Sequence, residues 1–182
     1  MVKEIERKFL LWENGIDYSD PYFLNLYQEG HYHSPVDFKE IVLEIGEKIK
    51  QGYLELELGK TLANKWGISF SFEPIEARLR QEGSKHFFTI KGNGALTRDE
   101  ENKQIGEGLF NQYWQSTVGK RVEKIRLKKP YCGQTLELDV YTDRDLIIAE
   151  VEFPDEISAM AFQIIGKEIT KDDKYKNRNL AK

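Results

Sequence analysis

A chain of 182 residues with 40% hydrophobic and 12% aromatic side chains is long enough to bury a core without disulfides or a structural metal, and too apolar for a disordered polymer. Lys and Arg number 27 against 31 Asp and Glu, a net charge of −4, so no global basic excess recruits nucleic acid. No apolar run reaches the about 18 residues a membrane helix needs, and the charged start Met1-Val2-Lys3-Glu4 lacks a signal-peptide core, so one cytoplasmic domain is expected.

Taken in chain order, alternation of period two predicts a first strand over Val2–Leu11. The stretch Trp12–Pro35 shows no period, and its His31 and His33, lacking further N or S donors nearby, read as a surface loop pair and not as metal ligands. Over Asp37–Lys50 the residues Phe38, Ile41, Val42, Ile45 and Ile49 fall on one helical face, which is expected to cover an apolar strand face. Further strands are predicted at Gly52–Leu58, Ile75–Gln81, His86–Lys91, Thr97–Lys103, Arg121–Lys128, Thr135–Tyr141 and Leu146–Phe153. Turn residues such as Glu82-Gly83, Gly92-Asn93-Gly94 and Cys132-Gly133 separate the later ones, which therefore read as hairpins. Helices are predicted at Glu107–Thr117, at Asp155–Ile165 with Asp155 as its cap, and more weakly at Asp172–Ala181. Cys132 has neither a paired Cys nor a basic helix terminus beside it and reads as a silent thiol. Tyr113 and Trp114 sit at helical spacing and read as core.

The charges follow the strand period. Arg78 and Arg80 flank Leu79, Lys124 and Arg126 flank Ile125, Glu137 and Asp139 flank Leu138, and Glu150 and Glu152 flank Val151. Glu4, Glu6 and Lys8 share one face of the first strand, and Lys91, Arg98 and Glu100 extend the set. Like charges two apart on one face repel, so an ordinary solvated sheet has no reason to prefer them. The apolar faces suit the amphipathic helices, which leaves the charges facing away from them. In a closed eight-stranded sheet that direction is the lumen. The fold class expected is thus α+β, mainly β: a closed eight-stranded antiparallel β-barrel, or tunnel, with a charged lumen and helices packed outside. Arg and Lys in such a lumen suit a polyanion, and the carboxylates tolerate it when hard divalent cations intervene.

The segment Glu4-Ile5-Glu6-Arg7-Lys8-Phe9 resembles the ExExK signature of CYTH domains, the triphosphate tunnel metalloenzymes. Gln51-Gly52-Tyr53-Leu54, Ala77-Arg78-Leu79-Arg80-Gln81, Phe88-Thr89-Ile90-Lys91, Leu96-Thr97-Arg98-Asp99-Glu100, Val122-Glu123-Lys124-Ile125-Arg126, Leu136-Glu137-Leu138-Asp139-Val140 and Glu150-Val151-Glu152-Phe153 resemble its successive strands, and Ile169-Thr170 with Lys174-Tyr175-Lys176-Asn177 its closing segment. The resemblance implies hydrolysis of a triphosphate with Mg2+ or Mn2+. Inorganic tripolyphosphate is the first substrate it suggests, nucleoside or thiamine triphosphate the next. It implies Glu4, Glu6, Glu100, Asp139, Glu150 and Glu152 as metal carboxylates. Arg78, Arg80, Lys91, Arg98, Lys124, Arg126 and Lys174 are implied phosphate binders, with Lys8 and Tyr53 at the reaction. Its small bacterial triphosphatase branch is the best match; a class IV adenylyl cyclase and a polyphosphate-binding module without turnover are the alternatives. The partners implied are a small-molecule triphosphate and, for a homodimer, a second copy, with no nucleic acid and no membrane. Three departures stand out: Asn102 where the family carries a carboxylate, Lys174 where it carries Arg, and an insertion at about 12–50.

Overall fold

The computed structural model describes residues 2–20 and 35–182, so His31 and His33 lie outside the described residues. In chain order the strands are β1 (Val2–Glu13), β2 (Ile16–Asp17), β3 (Glu47–Tyr53), β4 (Glu76–Glu82), β5 (Lys85–Lys91), β6 (Thr97–Ile105), β7 (Arg121–Tyr131), β8 (Gln134–Tyr141), β9 (Leu146–Glu152) and β10 (Lys167–Glu168). The helices are α1 (Pro35–Ile45), α2 (Leu56–Lys65), α3 (Glu107–Trp114), α4 (Glu156–Ala161) and α5 (Asn177–Leu180), with short 3-10 turns at Gln115–Thr117 and Asp173–Tyr175. Hydrogen bonding runs β1-β6-β5-β4-β3-β7-β8-β9 and returns from β9 to β1. The mainly β chain is therefore a closed eight-stranded antiparallel barrel with its helices outside, as expected. No helix of the described residues is long and apolar enough to cross a membrane.

The chain divides into two compact units. In the first, made of residues 1–4, 49–123 and 172–182, β4, β5 and β6 form a meander whose register pairs Arg78 with Thr89 and Thr89 with Asn102. Leu62, Ala63, Ala77, Leu79, Phe88, Ile90 and Phe110 form its core under α2 and α3, and Trp66, Tyr113 and Trp114 pack against it. Trp114 stacks on Phe110 at 4.8 Å between ring centres, and Tyr113 and Trp114 of α3 are packing residues as expected. Gly59 of α2 lies so close to β4 that a Cβ there would fall 2.2 Å from Cβ of Ala77. Only glycine lets this helix seat on the strand.

In the second unit, residues 5–48 and 124–171, β7, β8 and β9 form another meander. Its first turn places Cys132 at φ 49° and Gly133 at φ 76°, the positive-φ pair of a type I′ hairpin. Leu136, Leu138 and Val140 are buried, as are Ile147, Ala149 and Val151, and α1 packs on β8. Asp155 caps α4 by accepting from the Ser158 N–H at 2.7 Å.

Two segments differ from expectation. Gly52–Leu58 is not a strand: β3 runs Glu47–Tyr53, and Leu56 opens α2. The helix expected over Asp37–Lys50 stops at Ile45, and Ile49 is buried from β3. Of the stripe expected for that helix, Val42 is buried, Ile41 is half-buried and Ile45 is exposed. The helix expected over Asp155–Ile165 is shorter, ending at Ala161.

Candidate active site

Buried charge is the signature of both units. Along β7, Lys124 and Arg126 are more deeply buried than the intervening Ile125, and along β8 Glu137 and Asp139 are as buried as Leu136 and Leu138. A half-buried sheet of the ordinary kind would expose the charged set. Here the residues two apart that share a face are ionic and turned inward.

In the first unit the cluster is built on β1, β4, β5 and β6. Lys91 reaches the Glu4 carboxylate at 2.9 Å and pairs with Glu100 as well. Arg98 donates through Nε to Glu4 at 2.5 Å. Burial works to raise the Glu4 carboxyl, but Lys91 and Arg98 outweigh it and hold Glu4 well below the usual carboxylate range. Arg78 is buried, and burial opposes its charge, yet Glu100 and Tyr53 keep the guanidinium above its ordinary value. Its Nε is buried with no hydrogen-bond partner among the described residues. Tyr53 stands opposite Arg78 across the β3–β4 pair, and its hydroxyl accepts from Gln51 Nε2 at 3.3 Å. The neighbouring Gly52 explains why the Gln51-Gly52-Tyr53 step carries no side chain in its middle: a Cβ would lie 2.4 Å from Oγ1 of Thr117. Arg80 is half-buried, with its guanidinium 5.1 Å from the Phe87 ring centre. Asn102 accepts from the Thr89 hydroxyl at 2.8 Å, so the amide that replaces the expected carboxylate is tied into the row holding Arg78 and Thr89.

The second cluster is built on β1, β7, β8 and β9. Lys8 bridges two acids, Glu150 at 2.6 Å and Glu6 at 3.3 Å. Arg126 clamps Asp139 through Nε and Nη2, both at 2.6 Å, reaches Glu150 at 2.5 Å and pairs with Glu137. Lys124 pairs with Asp139, which is fully buried. Burial works to raise Glu150, but Lys124, Lys8 and Arg126 hold it well below the ordinary carboxylate value. Burial likewise opposes the charge of Arg126, and Asp139, Glu150 and Glu137 hold it well above its ordinary value. Each buried charge has a counter-charge, which is what keeps such a cluster affordable in a medium of low polarity.

Lys8, Tyr53, Arg78, Lys91, Lys124, Arg126, Glu6, Glu137, Asp139 and Glu150 are all buried. Glu152 and Lys174 are not: Glu152 is exposed at the end of β9, and Lys174 is exposed on the 3-10 turn, donating to the Tyr175 hydroxyl at 3.1 Å. The alternation carries Glu152 onto the face of Glu150, but the strand ends there and the side chain meets solvent. Among the described residues no group of three or more His, Cys, Asp and Glu is gathered as a ready metal cage. The carboxylates are spread between cations instead.

No family model matches the chain. An inorganic triphosphatase of Nitrosomonas europaea is 44% identical over 115 residues, 60% of this chain and 76% of the relative. A second, from Acetivibrio thermocellus, is 33% identical over 145 residues, 76% of this chain and 93% of the relative. The chain belongs to the inorganic triphosphatase family. A crystal structure of an inorganic triphosphatase agrees in fold, with 33% identity, coverage of 100% of this chain and 95% of that one, and a TM-score of 0.55. One buried ionic residue that alternation alone does not single out is Arg7. It lies on the opposite face of β1 from Lys8 and is buried, and it pairs with Glu168 at 2.7 Å. Its lone charge among Ile5 and Phe9 was the available signal.

Proposed function

We propose that the chain is a metal-dependent triphosphatase of the CYTH, or triphosphate tunnel metalloenzyme, kind, with inorganic tripolyphosphate as its first substrate. Two relatives that are inorganic triphosphatases support hydrolysis of a triphosphate. The observation that carries the phosphate reading is Arg78, a buried guanidinium whose Nε has no acceptor among the described residues. A phosphate oxygen supplies such an acceptor, and the guanidinium fork suits it. Arg78, Arg80, Lys91 and Arg98 in the first cluster, and Lys124 and Arg126 in the second, are the cations suited to phosphate oxygens in each unit. Lys8 donates to a phosphate oxygen, and the Tyr53 hydroxyl hydrogen-bonds the leaving phosphate or the attacking water. Hydrolysis breaks one P–O–P bond; water supplies the oxygen and protons, and the products are orthophosphate and pyrophosphate. Phosphoryl transfer asks for positioning and charge neutralisation more than for a protein nucleophile, and the two ionic clusters offer both.

The donor chemistry fits a hard divalent cation, because every candidate ligand is a carboxylate oxygen. Glu6 and Glu150, which converge on Lys8, are the pair that would hold Mg2+ or Mn2+ in the second unit, and Glu4 with Glu100 in the first. Such an ion, when bound, supplies charge neutralisation and a more acidic water. Asp139 is committed to Arg126 and Lys124 and acts as their counter-ion. Purified protein with Mg2+ or Mn2+ and tripolyphosphate, ATP or thiamine triphosphate, assayed for orthophosphate, pyrophosphate and cyclic AMP, tests the reading. Orthophosphate with pyrophosphate from tripolyphosphate is expected. Cyclic AMP with pyrophosphate from ATP and no orthophosphate from tripolyphosphate, or binding without turnover, overturns it.

A further inference from the structure

Lys8 is held from its backbone as well as from its side chain. On one edge β1 pairs with β9 in the register Lys8 to Glu150. On its other edge the short β10 pairs with Phe9 and Leu10 through Glu168 and Lys167, and the contact at Lys8 is made differently. The Lys8 carbonyl accepts from the Ile169 N–H at 2.9 Å, whereas the Lys8 N–H donates to a side chain, Oγ1 of Thr170, at 3.1 Å. Thr170 is buried, and its hydroxyl proton is committed in turn to Oε1 of Glu168 at 2.9 Å.

Glu168 is itself gripped. Arg7 donates to it twice, from Nε at 3.0 Å and from Nη2 at 2.7 Å. The remaining nitrogen of that guanidinium donates to the carbonyls of Ala159 and Phe162, both at 2.9 Å, where α4 ends. The donors therefore converge on Glu168 without a gap: Lys8 N–H donates to Thr170 and Thr170 O–H to Glu168 from one side, and Arg7 donates to Glu168 and to the end of α4 from the other. Arg7 and Lys8 are neighbours with side chains on opposite faces of β1, so the chain of bonds wraps around the strand. A hydroxyl that accepts from one group and donates to a carboxylate has its rotor fixed.

We infer that Thr170, fixed by the Arg7–Glu168 pair, is a positioning residue for Lys8: it sets the strand so that the Lys8 ammonium stands between Glu6 and Glu150. The inference rests on the proposed role of Lys8 in triphosphate hydrolysis. Displacing a phosphate-contacting group by even a fraction of an ångström lowers turnover steeply, and the isosteric Thr170→Val removes the acceptor without changing the volume of the side chain.

The test uses the full chain with Mg2+ or Mn2+ and tripolyphosphate, alongside hydrogen exchange of the Lys8 amide in protein labelled at lysine nitrogen. Thr170→Val is expected to lower kcat about tenfold while KM stays within about threefold, and to raise Lys8 amide exchange about tenfold relative to the other β1 amides. Thr170→Ser, which keeps the hydroxyl, should restore both to within about twofold. A Thr170→Val protein with native exchange at Lys8 overturns the inference whatever its activity. So does native kcat with the amide released, since the hydroxyl then holds the backbone without serving the reaction. Loss of both functions in Thr170→Ser also overturns it, because packing alone would then be the cause. A wild-type protein that turns over no triphosphate fails the hydrolase reading, and takes with it the inference that Thr170 serves a reacting lysine, even if the exchange result stands.

Discussion

Replacing Arg126 by Met removes the centre of the second ionic cluster. The guanidinium makes three hydrogen bonds of 2.5 to 2.6 Å to Asp139 and Glu150 and a fourth to Glu137. At about 1.5–3 kcal/mol for each bond to a charged group, four bonds would sum to about 6–12 kcal/mol. That sum overstates the loss, because Met also relieves the cost of keeping a guanidinium out of water. The remaining penalty is that of buried carboxylates stripped of a partner, about 3–5 kcal/mol. For a chain of 182 residues, each kcal/mol shifts the melting temperature by about 2–4 °C, so Arg126→Met should melt about 6–20 °C lower at neutral pH. Calorimetry on the metal-free protein measures it, with circular dichroism to show that the barrel still forms at low temperature. Adding Glu137→Gln to Arg126→Met, which removes one charge of the resulting acidic excess and leaves Lys124 its partner Asp139, should recover part of the loss. A single variant melting within about 2 °C of wild type would falsify the view that the cluster's charges depend on one another.

Gly59→Val should destabilise by about 1–3 kcal/mol through overpacking against β4, read by urea unfolding, and Ala77→Gly on top of it should return part of that loss because the clash is with the Ala77 methyl. Arg78→Ala should lower kcat/KM for tripolyphosphate by about tenfold or more, the worth of one charged hydrogen bond, and by more than Arg80→Ala; equal effects would sink the distinction drawn from burial. Glu168 has its carboxyl held below the ordinary value by the hydrogen bonds from Arg7. Its stabilising contribution is therefore full above the unfolded value of about 4.3 and lost as pH falls through the lower native value. The melting deficit of Glu168→Gln relative to wild type should accordingly be constant near neutrality and vanish in acid, as a pH series of thermal melts will show. Excess EDTA should abolish triphosphate hydrolysis and added Mg2+ or Mn2+ should restore it; turnover that persists through the chelator refutes the metal requirement.

The barrel was legible in the sequence because its strands obey a strict period and its hairpins carry their own turn residues, down to Cys132-Gly133. The inward charge was legible because Lys124 and Arg126, or Glu137 and Asp139, repeat a sign at spacing two. What failed was local arbitration. Leu54, Leu56 and Leu58 alternate as a strand would, while α2 seats on β4 through Gly59, a residue that a count of apolar side chains does not register. Ile45 and Ile49 lie four apart and extended the first helix on paper, but the chain changes to strand at Glu47 and uses the two residues in different elements. Glu152 keeps the place in β9 that the pattern assigns, opposite Glu6 of β1, and is exposed there, since period two assigns a face and not a depth. Arg7 was visible only as a charge among apolar neighbours; the partner that explains it, Glu168, is 161 residues away.

The mutual pairing of Lys124, Arg126, Glu137, Asp139 and Glu150 also constrains how such a chain can change over generations. A sign reversal at any one of these positions leaves a buried excess of charge that the rest cannot absorb. Tolerated change must pass through paired substitutions or through neutral intermediates such as Gln and Asn. Across related chains these positions should therefore drift in concert, as compensated sets, while the apolar residues between them exchange one at a time.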